Sequence, residues 1–267
     1  MNRVGIQTYP LSLIFRREGK ELAEHLDDAF SLVARCGIEA IEPNLPTSEV
    51  HAHELCMLSK KHNLDMPSAY ANVRLHTSGW RQEVERTLQQ LEWVKPLHVQ
   101  VLTVNPEPID WNSPENKSDE QLATQAVALQ SLGEAVSRLG IKLGYHVHSP
   151  EMRAGARELH HMMLNSNSRH VGMCLDAHWI FRGAENSQLA LFDIMKLYGD
   201  RIVELHARQS IGGVWSETLC DGDIDYSQVA ARLKASQFEG PIIIEQCFEQ
   251  GTPFTMPVDQ ALRANRE

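Results

Sequence analysis

KLGYHVHSPE (142–151), VGMCLD (171–176), IVELH (202–206) and PIIIE (241–245) are four short apolar runs that each finish on a residue able to bind a metal. The finishing residues, Glu151, Asp176, His206 and Glu245, stand 25, 30 and 39 residues apart. Each gap is close to the length of one strand–helix unit. Ligand-type residues at the ends of four successive strands describe a site at the carboxyl-end mouth of a parallel barrel.

Outward from these runs, strand and helix alternate eight times. VGIQTY reads as strand one and IEAIEP as strand two, with a helix from Lys20 to Cys36 between them. In that helix Leu22, Leu26, Ala29, Phe30, Leu32 and Val33 fall on one stripe, and Gly37 supplies the left-handed stop. Thr47 or Ser48 caps the next helix, and LDMPSAYA, weakened by Pro67, is strand three. Helix three runs from Trp80 to Val94 and HVQVLTV is strand four. The proline-rich NPEPIDWNSPENK is then a long loop at its carboxyl end. Helix four spans Asp119–Leu139, Gly140 ends it, and strand five starts at Ile141. The pattern "helix, Gly, strand" recurs in ARCGIEAIE and SRLGIKLGY, a structural echo of one repeated unit. No GxGxxG or GxxxxGK[ST] phosphate cradle appears. The expectation is therefore one α/β domain over residues 1–267, a TIM (β/α)8 barrel, rather than an open doubly wound sheet.

Bulk composition agrees. The chain has 267 residues, 42% hydrophobic and 22% charged, ordinary values for a globular domain of barrel size. The formal charge of −10 and the lack of a basic cluster larger than a pair argue against nucleic acid as partner. No run is long enough to span a bilayer, and the start, MNRVGIQTYPLSLIF, does not read as a secretory signal. The five cysteines are scattered without CxxC spacing, which argues against disulfides and zinc–thiolate sites and for a reducing, cytoplasmic setting. A small neutral or keto-type ligand fits this charge balance, and a homo-oligomer stays open.

Each strand end has a functional and a bland reading. Glu245 closes a run of three isoleucines, where an unpaired carboxylate is costly to bury; it is a metal ligand or base, or one half of a salt bridge. His206 is a ligand or a hydrogen-bonded rim residue, and Arg208, two residues on, shares its face and is a candidate to hold a substrate oxygen or to balance the carboxylates. Asp176 is a ligand or the cap of the next helix; His178 is a weaker ligand candidate and Trp179 an apolar wall against a sugar ring. Strand five offers three competitors, His146, His148 and Glu151, with Glu151 preferred and His148 next. Glu42 and Asn105, at the ends of strands two and four, are candidate substrate contacts, and Trp215 a lid residue. Carboxylates with imidazole suit a divalent ion, Mn²⁺ first, then Mg²⁺, Co²⁺ or Zn²⁺.

At YHVHSPE, CLDAHW, YGDRIVELHARQ, DGDIDY and IIIEQ the chain resembles the sugar phosphate isomerase/epimerase superfamily. That barrel group includes xylose isomerase, ketose 3-epimerases, inosose dehydratase and endonuclease IV. The resemblance implies Asp176, His206 and Glu245 as metal ligands and Glu151 as the fourth. The chain departs from the pattern where ketose epimerases carry Glu in strand five and it has His146. It departs again with DAHW in place of DxGH, and with Arg208–Gln209 in place of a Lys–Asp pair. The implied activity is isomerisation or epimerisation of a sugar or cyclitol through an enediolate; the carboxylate expected to take the proton is Glu245 first and Glu151 second. A dehydratase or lyase acting through the same enediolate, with His146 or His148 as general acid, is the alternative. A non-catalytic sugar-binding barrel is the reading from another class.

Overall fold

The computed structural model describes residues 3–266. Its main sheet has eight parallel strands: β1 (Val4–Gln7), β2 (Ala40–Glu42), β3 (Ser68–Val73), β4 (Val101–Pro106), β5 (Lys142–Tyr145), β6 (Val171–Asp176), β7 (Ile202–Ala207) and, after a small antiparallel hairpin of β8 (Ser210–Ile211) and β9 (Val214–Trp215), β10 (Ile242–Ile244). The order β2-β1-β10-β7-β6-β5-β4-β3 curls the sheet round. Parallel bridges Ala40–Asp65 and Asn44–Tyr70 join the two edges. The barrel is thus nearly closed, with helices between successive strands, as the alternation in the sequence predicts.

Outward-facing strand residues such as Ile6, Ile41 and Ile244 pack with Leu11, Phe30 and Val33 of the covering helices. Leu143, Met173 and Leu175 do the same with Leu129, Leu159 and Met162 on the other side. Burial of these stripes, each residue contributing about 1.5–3 kcal/mol, holds the helices against the strands. Gly37 and Gly140 adopt φ of 77° and 75° at the two expected helix stops. Gly172 has a different reason: a Cβ there would lie 2.5 Å from Val203 Cγ1, so β6 and β7 meet only because it is absent.

Two elements differ from the sequence expectation. A helix, Thr8–Arg17, follows β1 directly, with the Gln7 side chain accepting from the Tyr9 amide. Its apolar residues Leu11, Ile14 and Phe15 were disguised by the TYP start, which reads as strand or turn. The helix expected over Lys20–Cys36 is a short 3₁₀ turn at Leu22–Glu24 followed by a helix at Leu26–Arg35. Pairing register then sets the mouth of the barrel. Asp176 lies opposite His206, and Ile244 opposite Ala207, which brings Glu245 beside Arg208. On the other side Asn72 lies opposite Asn105, and Gln7 opposite Glu42.

Candidate active site

Glu204, His206 and Arg208 alternate along β7 and the residue just past it, so all three point to the barrel interior. The imidazole of His206 is fully buried and works on two sides. Its Nε2 lies 3.2 Å from Glu204 Oε1 and 3.1 Å from Glu42 Oε2, while its Nδ1 lies 3.4 Å from Glu245 Oε2. Glu204 is held in turn by the Thr103 hydroxyl and by Cys174 Sγ at 3.7 Å. A carboxylate behind one ring nitrogen keeps the proton there and leaves the other nitrogen to face the site.

Asp176 divides its carboxylate. One oxygen accepts from the Trp179 amide at 2.7 Å and caps the helix Ala177–Gly183. The other lies 3.5 Å from His146 Nε2 and 3.8 Å from the Arg208 guanidinium. The cap and the ligand are therefore both open to one side chain, through different oxygens. Arg208, 1% exposed, donates from Nε to the Glu245 carbonyl at 2.9 Å and touches the Glu245 carboxylate through Nη2. Trp179 and Trp215 flank its guanidinium, at 5.2 and 4.5 Å from their ring centres.

Four atoms decide what this cluster can hold. His146 Nε2, Asp176 Oδ2, His206 Nδ1 and Glu245 Oε2 are buried, and among the described residues none has a partner in hydrogen-bond geometry; the contacts among them and to Arg208 are ionic only. One ligand atom from each residue lies within 4.8 Å of the others. Two imidazole nitrogens and two carboxylate oxygens fit a borderline divalent ion.

Charge follows from surroundings. Burial and the neighbouring His206 push His146 down to about 3, so its imidazole is neutral. Burial raises Asp176 to about 6 against the pull of Arg208. Burial also opposes the Glu245 charge, but Arg208 and His206 overcome it and hold that carboxyl well below its usual range. Burial and the repulsion of Glu204 raise Glu42 to about 8. Burial disfavours a charged His206, yet the acidic groups packed round it, Cys174, Glu42 and Glu204, outweigh burial and raise the imidazole well above its usual range. Coordination through Nδ1 would expel that ring's Nδ1 proton.

The expected residues separate into groups. His146, Asp176, His206, Arg208 and Glu245 come together. Glu151 does not join them: it is the third residue of the helix Ser149–Leu164, and its Oε2 accepts from the His148 amide at 2.6 Å in a capping box. β5 stops at Tyr145, earlier than the apolar run suggests, because Ser149–Pro150 starts a helix. His148 lies at the rim, with Nδ1 2.9 Å from Asn105 Oδ1, while the Asn105 amide donates to Asn72 at 3.2 Å. His148 Nδ1 is therefore the donor, and its Nε2 is left as an acceptor. His178 has both nitrogens engaged: Nε2 with Ser210 Oγ at 2.9 Å and Nδ1 with the Trp215 indole N–H at 3.2 Å. Ser210 donates onward to Asp223 of the DGDIDY segment at 2.7 Å. His178 thus fixes the hairpin that carries Trp215 instead of facing the cavity. Glu42 lies beneath the site against His206 and Glu204.

A cavity of about 560 Å³ opens above this cluster, bordered by Tyr70, Asn72, Trp111, Trp179, Arg208 and Glu245 among others. A larger one of about 960 Å³ lies outside the barrel beside the helix Tyr226–Ala235, away from the ionisable cluster. Sequence reasoning missed Tyr70 and Asn72, which nothing in LDMPSAYAN marks. It also missed Glu204, whose signal was present: a charge two residues before His206 in an otherwise apolar strand.

The sequence profile of the xylose isomerase-like TIM barrel family matches residues 30–266. The chain belongs to that family. An inosose dehydratase of Clostridium perfringens is 23% identical over 168 residues, 56% of this chain and 54% of the relative, so the chain spans about half the length of that curated protein. The fold is shared with an L-ribulose 3-epimerase structure at TM-score 0.75 and 15% identity, over 100% of this chain and 92% of that one. It is also shared with a xylose isomerase-like TIM barrel protein of Mycobacterium smegmatis in complex with magnesium. That likeness has TM-score 0.75 and 10% identity, over 100% of this chain and 94% of that one.

Proposed function

We propose that this member of the xylose isomerase-like family is a divalent-metal-dependent isomerase or epimerase of a sugar or cyclitol, working by proton removal next to a carbonyl. The observation that carries the reading is the set of four buried, unpartnered ligand atoms beneath a cavity with aromatic and amide walls. His146, Asp176, His206 and Glu245 would hold the ion, Mn²⁺ first among the candidates. When bound, it would supply Lewis-acid polarisation of the substrate carbonyl.

The chain's own groups supply the rest. Trp179 and Trp215 offer apolar faces to a ring. Asn72 and Tyr70 offer hydrogen bonds to hydroxyls. Glu245, ionised, accepts the proton from the carbon next to the carbonyl. Among the described residues it is the one carboxylate bordering the cavity. A single base that returns its proton to the former carbonyl carbon, while the hydroxyl proton passes from the neighbouring oxygen to the former carbonyl oxygen, gives isomerisation; epimerisation needs a second acid on the opposite face. Glu151, the other carboxylate proposed for proton transfer, is committed to the helix cap, so isomerisation is the better-supported branch. The likeness to inosose dehydratase supports a second reading, elimination of a hydroxyl from the same enediolate.

Incubation with keto-sugars and inososes in D₂O tests this. The expected result is metal-dependent deuterium incorporation next to the carbonyl, abolished by EDTA and restored by Mn²⁺. A product lighter by one water selects the dehydratase. Turnover that ignores chelation, or no exchange with any of them, contradicts the proposal.

A further inference from the structure

Two donors on side chains that border the cavity have no acceptor among the described residues. Arg208 uses Nε on the Glu245 carbonyl and Nη2 on the carboxylates of Glu245 and Asp176, but its Nη1 is buried with no partner. The indole N–H of Trp179, whose ring lies against the same guanidinium, is also buried and unpartnered. Both side chains border the cavity. A buried donor left unmade costs about 1–3 kcal/mol, more for a charged one. Neither donor can be satisfied by a metal ion; each needs an acceptor oxygen.

The charge of the cavity wall points the same way. Besides Arg208 it carries Arg153, whose guanidinium binds the main-chain carbonyls of Ser113 and Glu115 and has no carboxylate partner among the described residues. Glu245 is the one carboxylate on that wall among the described residues, with Asp176 behind it against Arg208, and the proposed reaction assigns both to the metal. Guanidinium and carboxylate are matched in shape and charge. Two free donors match the two oxygens of a carboxylate, whereas a phosphoryl group presents three acceptor oxygens.

We infer that the substrate is a sugar acid, its carboxylate received by Arg208 Nη1 and Trp179 Nε1. The inference rests on the enediolate reading of the site and narrows its substrate class.

Calorimetric titration of the Mn²⁺-loaded protein with matched probes tests it: D-glucuronate against D-glucose, and D-galacturonate against D-galactose. The expected result is that the acid of a pair binds about tenfold or more tightly than its neutral partner. Trp179→Phe keeps an aromatic face and removes the N–H; it should weaken the acid several-fold more than its neutral partner. Arg208→Lys should cost more, with circular dichroism reporting whether that variant folds. Equal affinity within both pairs, no binding of either acid, or an unchanged Trp179→Phe would overturn the inference. If Mn²⁺ binds and the neutral sugars match the acids, only the carboxylate assignment falls. If Mn²⁺ itself fails to bind, the enediolate reading falls with it.

Discussion

The first four strand ends and the last four meet at one mouth but carry different chemistry. β1 to β4 contribute Gln7, Glu42, Asn72 and Asn105; β5, β6, β7 and β10 lead into His146, Asp176, His206 with Arg208, and Glu245. Three of the first four are amides. The exception, Glu42, is raised to about 8 by burial and Glu204 and is therefore an uncharged carboxyl at neutral pH. One half of the barrel offers neutral hydrogen bonds suited to hydroxyls. The other holds the charges that a cation and a proton transfer require. Apart from Glu42, the ionisable groups at the strand ends lie on one arc, where a single buried cluster can satisfy them.

Substitutions on either side break or sharpen that contrast. The largest effect is expected in the charged half: Glu245→Gln should lower turnover by about 10²–10⁴-fold with folding kept, read as steady-state kinetics beside a thermal melt. Glu204→Gln weakens the partner that fixes the His206 tautomer without touching the cluster. Mn²⁺ affinity should fall by about 10–100-fold, measured by calorimetry. In the neutral half Asn72→Ala should raise KM several-fold, the loss of about 1 kcal/mol of hydrogen bonding, with kcat nearly unchanged. An equal fall in kcat would show that the amide acts in the transition state.

The smallest effect belongs to Glu151 and is a matter of stability. Glu151→Ala removes the capping interaction and should cost about 1 kcal/mol, while Glu151→Gln can keep it. Burial, with Glu158 adding to it, raises the folded Glu151 carboxyl from 4.5 to about 7. A raised carboxyl binds more protons in the folded state, so its contribution to stability is full below about 4.5 and is lost as pH rises through about 7. Glu151→Gln should flatten that part of the pH–stability profile; an unchanged slope would assign it to another group.

Much of this was legible in the sequence. The eight strand–helix units follow from periodicity and glycine stops, and Asp176, His206 and Glu245 stand out because each polar residue ends an apolar run. Strand five was harder, because HVHSPE holds three candidates within six residues and their roles depend on where the strand ends. The Ser149–Pro150 helix start turns Glu151 back onto the His148 amide and leaves His146 facing the cluster. Tyr70 and Asn72 were illegible for another reason. Their place in the site comes from barrel closure and β3–β4 register, which local pattern does not record. The helix after β1 was hidden by a TYP start that propensity reads as turn.

In the proposed metal site His146, and not Glu151, joins Asp176, His206 and Glu245. Calorimetric titration of Mn²⁺ into metal-free wild type, His146→Ala and Glu151→Gln tests it most directly. One ion per chain is expected in the wild type and in Glu151→Gln, with binding lost or weakened by at least about 100-fold in His146→Ala. Full binding in His146→Ala together with its loss in Glu151→Gln would contradict it.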